Sequence, residues 1–277
     1  MLNINTNYAA AFATNAAKRT TASIETAMER LSTGSRINYS RDDAAGLAIA
    51  TRLNSEVQSL SAASRNAADA QSMLDTTDGA LAETHSVLIR MRELAVQAAN
   101  GTLDDTDRAA LDAEFQQLES EIDRINSNTS FAGVSLFDGS AKTFHIGTGN
   151  AVSDKVSHTF TSLASHNLDL DSAGPNNVVG GATTDDVVRD LTSAANAQTM
   201  LGEIDTAIAT VSTERGKLGA LSNRLSSTVA NLDQIGVNLS SSKGRIQDAD
   251  FAAETSNLAK GQILQQAATA MLAQANA

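Results

Sequence analysis

Apolar residues recur at every seventh position in two long stretches of this 277-residue chain. A sustained heptad repeat is typical of long helices that pack around one another. The repeat positions are Leu53, Leu60, Ala67, Leu74, Leu81, Leu88 and Ala95 in the first stretch, and Ile204, Val211, Leu218, Leu225, Leu232, Leu239 and Ile246 in the second. We predict one long helix over about 43–100 and another beginning near residue 185, with the leucines, isoleucines and valine of both rows forming a rod core.

The two heptad rows predict a helical hairpin. Neither row can bury its apolar stripe alone, so pairing within one chain is the economical arrangement. Proline occurs once, at Pro175, which leaves room for very long helices. The positions four residues after the first row are poor in apolar groups, whereas Leu201, Ile208 and Val229 partly fill those of the second. The expected fold class is therefore mainly α, an irregular antiparallel coiled-coil or bundle rod formed by the two arms.

A third helix is predicted between the arms. Thr102 and the acidic residues Asp104, Asp105 and Asp107 suit a helix N-terminus. A single apolar stripe follows, with spacings of four and three, at Leu111, Phe115, Leu118, Ile122 and Ile125. A short connection favours an antiparallel return onto the first helix.

The helical period is lost over 126–184. Alternating segments at 142–146 and 156–160 predict strands, Asp138-Gly139 indicates a turn, and 176–181 is loop-like. We expect a small β-hairpin region at the tip of the rod. The extreme segments 9–17 and 267–277 contain few large apolar groups, so we expect them to be disordered in a free monomer and to order when many copies stack.

The charge and residue inventory excludes several functions. The formal net charge of −12 argues against binding to nucleic acid or to an anionic membrane surface. The chain has no cysteine, and the scattered His85, His145, His158 and His166 form no metal-binding motif. Asp42-Asp43 is interpreted as the acidic start of a helix, and Gly139, Gly147 and Gly149 as turn residues. We therefore expect no catalytic site, no cofactor and no metal.

Eight short motifs occur along the two ends of the chain. They are 36–38 (RIN), 42–50 (DDAAGLAIA), 92–101 (RELAVQAANG), 129–133 (TSFAG), 136–139 (LFDG), 245–251 (RIQDADF), 262–267 (QILQQA) and 270–276 (AMLAQAN). Together and in this order they resemble the motifs of bacterial flagellins, and the resemblance covers about residues 1–160 and 190–277.

The resemblance implies a structural subunit of the flagellar filament. Its inner-tube domain would combine 1–43 with a truncated 247–277. Its rod would combine the helices of 44–125 with the helix of 185–246. The short β-rich region 126–184 would lie between the two arms of the rod. It also implies secretion in an unfolded state through the flagellar type III apparatus, a cytoplasmic export chaperone, assembly under a filament cap next to hook-junction proteins, and a place in the extracellular flagellum.

Two alternatives share the helical arms. One is a hook–filament junction protein, and the other is a flagellin-like surface protein that binds a polysaccharide or a host receptor. In flagellins sensed by an animal innate immune receptor, the positions matching Arg90, Leu94 and Glu114 contact that receptor. Here Ile89 stands beside them in place of a polar residue. A purely structural role for these residues in the rod is the competing interpretation.

Overall fold

The computed structural model describes residues 8–149, 151–168, 170 and 190–276. Its helices are α1 (Tyr8–Thr33), α2 (Ala44–Ala98), α3 (Asp105–Asn128), α4 (Ala194–Gln247) and α5 (Phe251–Asn276). Its strands are β1 (Ser130–Phe131), β2 (Val134–Ser135), β3 (Ala141–His145) and β4 (Lys155–Thr159), with short 3-10 turns at Val152–Asp154 and Ser165–Asn167. The mainly α fold class is confirmed. The expected loop at 176–181 and the expected helix start near 185 lie outside the described residues.

The chain divides into two compact units. Unit 1 consists of Met1–Leu60 and Gln234–Ala277, and unit 2 consists of Ser61–Asp233. Unit 1 contains α1, α5, the first part of α2 and the last part of α4. Unit 2 contains α3, all four strands and the remaining parts of α2 and α4.

Within unit 2, α2 and α4 are antiparallel. Polar side chains join them at successive levels, and the residue number falls along α4 as it rises along α2. The pairs are Ser64 with Asp233 at 3.2 Å, Gln71 with Ser226 at 2.6 Å, Asp78 with Arg215 at 2.8 Å, and Asp205 with Arg92 at 2.7 Å. All four of these positions on α2 lie four residues after a member of the heptad row, so the polar character noted in the sequence supplies bonds between the helices.

The core of unit 2 contains a second row of residues on α2 that the sequence interpretation missed. It lies three residues after the leucine row and consists of Ala63, Ala70, Thr77, Thr84, Met91 and Ala98, all of which are buried. Alanine and threonine do not stand out as apolar in a sequence. The two threonines are accommodated because each hydroxyl donates to the carbonyl four residues earlier, at 2.8 Å for Thr77 and 3.0 Å for Thr84.

Helix α3 returns along α2 and determines where the strands lie. Asp104 caps it by accepting a hydrogen bond from the Asp107 amide at 2.8 Å. The β3–β4 pair is antiparallel, from Ala141 opposite Thr159 to His145 opposite Lys155, close to the predicted strands. The Asn66 side chain donates to the His145 carbonyl at 3.0 Å.

The β3–β4 pair therefore lies alongside α2, not at the expected tip. The 24 residues of α3 carry the chain about 36 Å back along α2 before any strand begins. A second hairpin, β1–β2, was not predicted. It turns at Ala132 and Gly133, whose φ angles are 50° and 82°, and alanine at the first of these positions is a weak turn signal.

Unit 1 pairs α1 with α5 and brings the segment between α1 and α2 onto the end of α4. Gly34, with a φ of 69°, ends α1 in the left-handed region, and its carbonyl accepts from the Ala249 amide at 2.9 Å. The Arg36 amide donates to the Gln247 carbonyl at 2.6 Å. Segments 9–17 and 267–276 are helical in the structure and not disordered, since they belong to α1 and α5 and are rich in alanine, the strongest helix former.

Asp43 forms the N-terminal cap of α2. Its carboxylate accepts a hydrogen bond from the Gly46 amide at 2.8 Å. A Cβ at Gly46 would lie 2.4 Å from that same carboxylate, so glycine is required for the cap to close. The neighbouring Asp42 accepts from the Tyr39 and Asn38 amides, and these hydrogen bonds hold the pKa of Asp42 below its usual value. Both carboxylates thus have structural partners.

Candidate functional surface

Exposed large apolar side chains are concentrated in unit 1. Among the described residues, fifteen such side chains are exposed, and eleven of them belong to unit 1. These eleven are Tyr8, Phe12, Met28, Tyr39, Ile49, Ile235, Val237, Phe251, Ile263, Leu264 and Met271. The four in unit 2 are Ile89, Val96, Val134 and Val152. Exposed apolar groups at this density are typical of a surface that other macromolecules cover.

The charges are distributed just as unevenly. Unit 1 has nine lysines and arginines against eight aspartates and glutamates, whereas unit 2 has 11 against 24. The formal net charge is therefore +1 for unit 1 and −13 for unit 2, so the net negative charge of the chain belongs entirely to unit 2. Copies of unit 1 can approach one another without strong mutual repulsion.

Two features hold α1 against α5. Arg30 donates to Glu254 at 2.9 Å, and Glu254 is only 8% exposed. Gly261 allows the two helices to approach closely, because a Cβ there would lie 2.7 Å from Cγ1 of Ile24. Apart from Ile24, the residues of α1 whose side chains are described as buried are alanines, Ala13 and Ala27. The α1–α5 pair thus buries few large side chains within one molecule.

The structure places the predicted rod-core residues at different depths. Leu74, Leu81 and Leu88 on α2, and Ile204, Val211, Leu218 and Leu225 on α4, are fully or almost fully buried and belong to one apolar cluster in unit 2. Leu53, Leu60 and Leu232 are buried outside that cluster. Leu239 and Ile246, in the unit 1 part of α4, are only half-buried.

The three residues considered for receptor contact do not all reach the surface. Arg90 donates to Glu114 at 2.7 Å and to Glu93 at 3.0 Å, and its side chain is half exposed, as is that of Glu114. The bond to Glu114 is the main reason that the pKa of Arg90 is raised. Leu94 is 1% exposed and belongs to the core. Arg90 and Glu114 therefore form a surface pair above a buried Leu94.

One histidine belongs to a buried polar cluster. His158 on β4 lies 3.0 Å from Glu214 on α4, and Lys217 reaches the other oxygen of the same carboxylate, also at 3.0 Å. Glu214 is buried, so these two partners satisfy an acid that would otherwise be costly in the core. The contact between His158 and Glu214 holds the β3–β4 pair against α4. The side chain of His166 lies outside the described residues.

Within the described part of the chain, no group of three or more histidine, aspartate and glutamate side chains is arranged to hold a metal ion. None of the described helices combines the length and the apolar content that crossing a membrane requires.

Comparison with known proteins gives two family matches. Residues 4–142 match the bacterial flagellin N-terminal helical region, and residues 201–277 match the bacterial flagellin C-terminal helical region. The chain is 42% identical to a flagellin of Halalkalibacterium halodurans over 90% of this chain and 87% of that protein. It is 38% identical to a flagellin of Bacillus subtilis over 99% of this chain and 96% of that protein.

The fold also resembles a solved structure of a candidate flagellar hook-associated protein from Vibrio parahaemolyticus. The TM-score is 0.60 and the sequence identity 17%, and the match covers 75% of this chain and all of the other. At that identity the likeness concerns the fold alone.

Proposed function

This chain belongs to the bacterial flagellin family, and we propose that unit 1 is the part of it that joins neighbouring copies in the flagellar filament. As a flagellin, the chain is a structural filament subunit. Unit 2 supplies a separately packed body, whereas the helices of unit 1 complete their burial against other copies.

The exposed apolar side chains of unit 1 carry this proposal. Phe12, Phe251 and Ile263 are more than half exposed, and each belongs to one of the two terminal helices. Full burial of one such side chain contributes about 1.5–3 kcal/mol. Several side chains buried in each subunit interface would therefore outweigh the entropy lost when a free subunit joins a polymer.

Replacing a pair of these side chains tests the proposal. We expect Phe12→Ser with Ile263→Ser to remove filaments from seeded polymerisation mixtures, measured by sedimentation and electron microscopy, while the melting temperature changes little. Val134→Ser with Val152→Ser is the matched control, because it removes two exposed apolar side chains from unit 2. Normal filaments from the unit 1 variant, or equal loss of filaments in both variants, would exclude unit 1 as the joining surface.

The family membership supports further parts of the proposal. The subunit leaves the cell unfolded through the flagellar type III apparatus, assisted by a cytoplasmic chaperone, and takes its place in the extracellular filament beneath the cap and beyond the hook-junction proteins. Its role is structural, and it catalyses no reaction.

We also propose that the Arg90–Glu114 surface is the part of unit 2 that an animal innate immune receptor would contact. The pair is exposed and joins α2 to α3, so it offers one cation and one anion at a fixed spacing. The side chain of Leu94 is buried, so it would not contact the receptor directly. Leu94 would instead support the backbone of α2 beneath the Arg90–Glu114 pair.

A further inference from the structure

We propose that the groove between α1 and α5 binds a carboxylate side chain of a second copy of this chain; this rests on the proposed function and names the contact within it. The groove lies wholly in unit 1 and has a volume of about 600 Å³. Three cationic side chains line it, Arg19, Arg30 and Lys260, together with one acidic side chain, Glu254.

The single acid of the groove, Glu254, already has partners. One Glu254 oxygen accepts from Arg30 at 2.9 Å, and the other accepts from the Asn257 amide group at 3.3 Å. Its single negative charge therefore balances that of Arg30, and it cannot also balance the charges of Arg19 and Lys260.

Arg19 and Lys260 are the uncompensated charges. Both are exposed, and neither makes an ion pair within the described residues. The hydroxyls of Thr20, Ser23 and Thr26, which also line the groove, each donate to a carbonyl of their own helix. The groove therefore presents two free positive charges and no free carboxylate, an arrangement that suits an incoming anionic side chain.

Charge complementarity identifies a second copy as the occupant. The chain has 32 acidic against 20 basic residues, so a neighbouring copy offers many carboxylates. Unit 1 itself carries exposed Glu25, Glu56 and Asp250. Leu264 at the groove wall is half exposed and would pack against the stem of the incoming side chain. A contact of this kind sets the register between subunits more than it adds affinity.

Charge reversal in the full chain provides the first test. We expect Arg19→Glu with Lys260→Glu to raise the critical concentration for polymerisation about tenfold, since two exposed attractions become repulsions. Lys18→Glu with Arg52→Glu is the matched control, because both residues are exposed in unit 1 and neither lines the groove. Circular dichroism should show unchanged helix content and melting for both variants.

Zero-length carbodiimide cross-linking of wild-type filaments provides the second test. It forms an amide bond between the Lys260 amine and a carboxylate in direct contact, with release of the urea derived from the carbodiimide. Mass spectrometry of filaments mixed from 15N-labelled and unlabelled protein shows whether the two groups belong to different copies. We expect a mixed-isotope cross-link at Lys260 in filaments and none in monomers.

The outcomes separate the groove from the wider proposal. Filaments that form equally well from the groove variant and the wild type, an equal defect in the control variant, or a Lys260 cross-link confined to one copy would each overturn the groove contact and leave the filament function standing. Wild-type protein that forms no filaments under any seeding condition would overturn both.

Discussion

Units 1 and 2 are built from the same long helices but bury very different side chains. Unit 2 contains a continuous apolar cluster with large members such as Phe115, Phe160 and Leu191. The buried apolar residues of unit 1 are few, and the largest of them, including Ile24, Ile37 and Leu53, lie outside that cluster. Unit 1 instead exposes about half of the large apolar side chains that the structure describes there, and it carries almost no net charge. The difference teaches that one helical pattern can serve two purposes, a core closed within the molecule and a surface for other molecules.

The largest expected effect comes from placing a charge in the heptad row of α4. Leu225→Asp should lower the free energy of unfolding by roughly 4 kcal/mol or more. Leu225 is 0% exposed and belongs to the apolar cluster, so the new carboxylate would be buried without a partner. Urea unfolding followed by circular dichroism measures this.

Leu239→Asp is the control that sharpens the comparison. Leu239 belongs to the same heptad row but lies in unit 1 and is half-buried. The same substitution there should change monomer stability far less. Equal losses at the two positions would mean that unit 1 has a core as complete as that of unit 2.

Removal of residues 1–30 should separate the two units functionally. The truncation deletes most of α1 and leaves every residue of unit 2 in place. We expect a soluble monomer with an unchanged main melting transition that does not join filament seeds in a sedimentation assay. Filament formation by the truncated chain, or loss of the main transition, would break the division of roles between the units.

The smallest expected effect concerns pH and a surface ion pair of unit 2. The hydrogen bond from Arg92 lowers the pKa of Asp205 from its usual 3.8, so the pair stabilises the fold above that pH and the contribution is lost as the pH falls through the lowered value. Asp205→Asn should therefore be slightly less stable than the wild type at pH 7, and this difference should shrink at pH 3.

Urea unfolding at the two pH values measures that difference. Asp75→Asn, which removes an exposed carboxylate of unit 2 that makes no ion pair within the described residues, serves as the control. The effect is small because both Asp205 and Arg92 are about half exposed. A difference that grows at pH 3 would contradict the assigned sign.

The sequence predicted the long helices because leucine at every seventh position is characteristic of helices packed side by side. It did not predict the second buried row on α2, because alanine and threonine, as at Ala70 and Thr84, are not distinctively apolar. The hydroxyl of Thr84 can be buried only because it donates a hydrogen bond to a carbonyl of the formed helix. The sequence interpretation also placed the β3–β4 pair wrongly. A heptad repeat predicts a long helix, but it does not predict which part of the fold the following strands pack against. The groove between α1 and α5 could not be predicted either, because it depends on how the two helices align. The close approach at Gly261 sets that alignment, and no local sequence pattern indicates it.

The antiparallel register of α2 and α4 has a consequence for the timing of folding. Gln71 and Ser226 are 155 residues apart along the chain, and Arg30 and Glu254 are 224 apart. A ribosome must therefore reach α4 and α5 before the partners of α2 and α1 on those two helices exist. Contacts between such distant residues form slowly because a long loop has to close first. The packing of α2 against α4 and of α1 against α5 consequently stays incomplete for most of the synthesis, a period in which other proteins can still bind the unpaired segments.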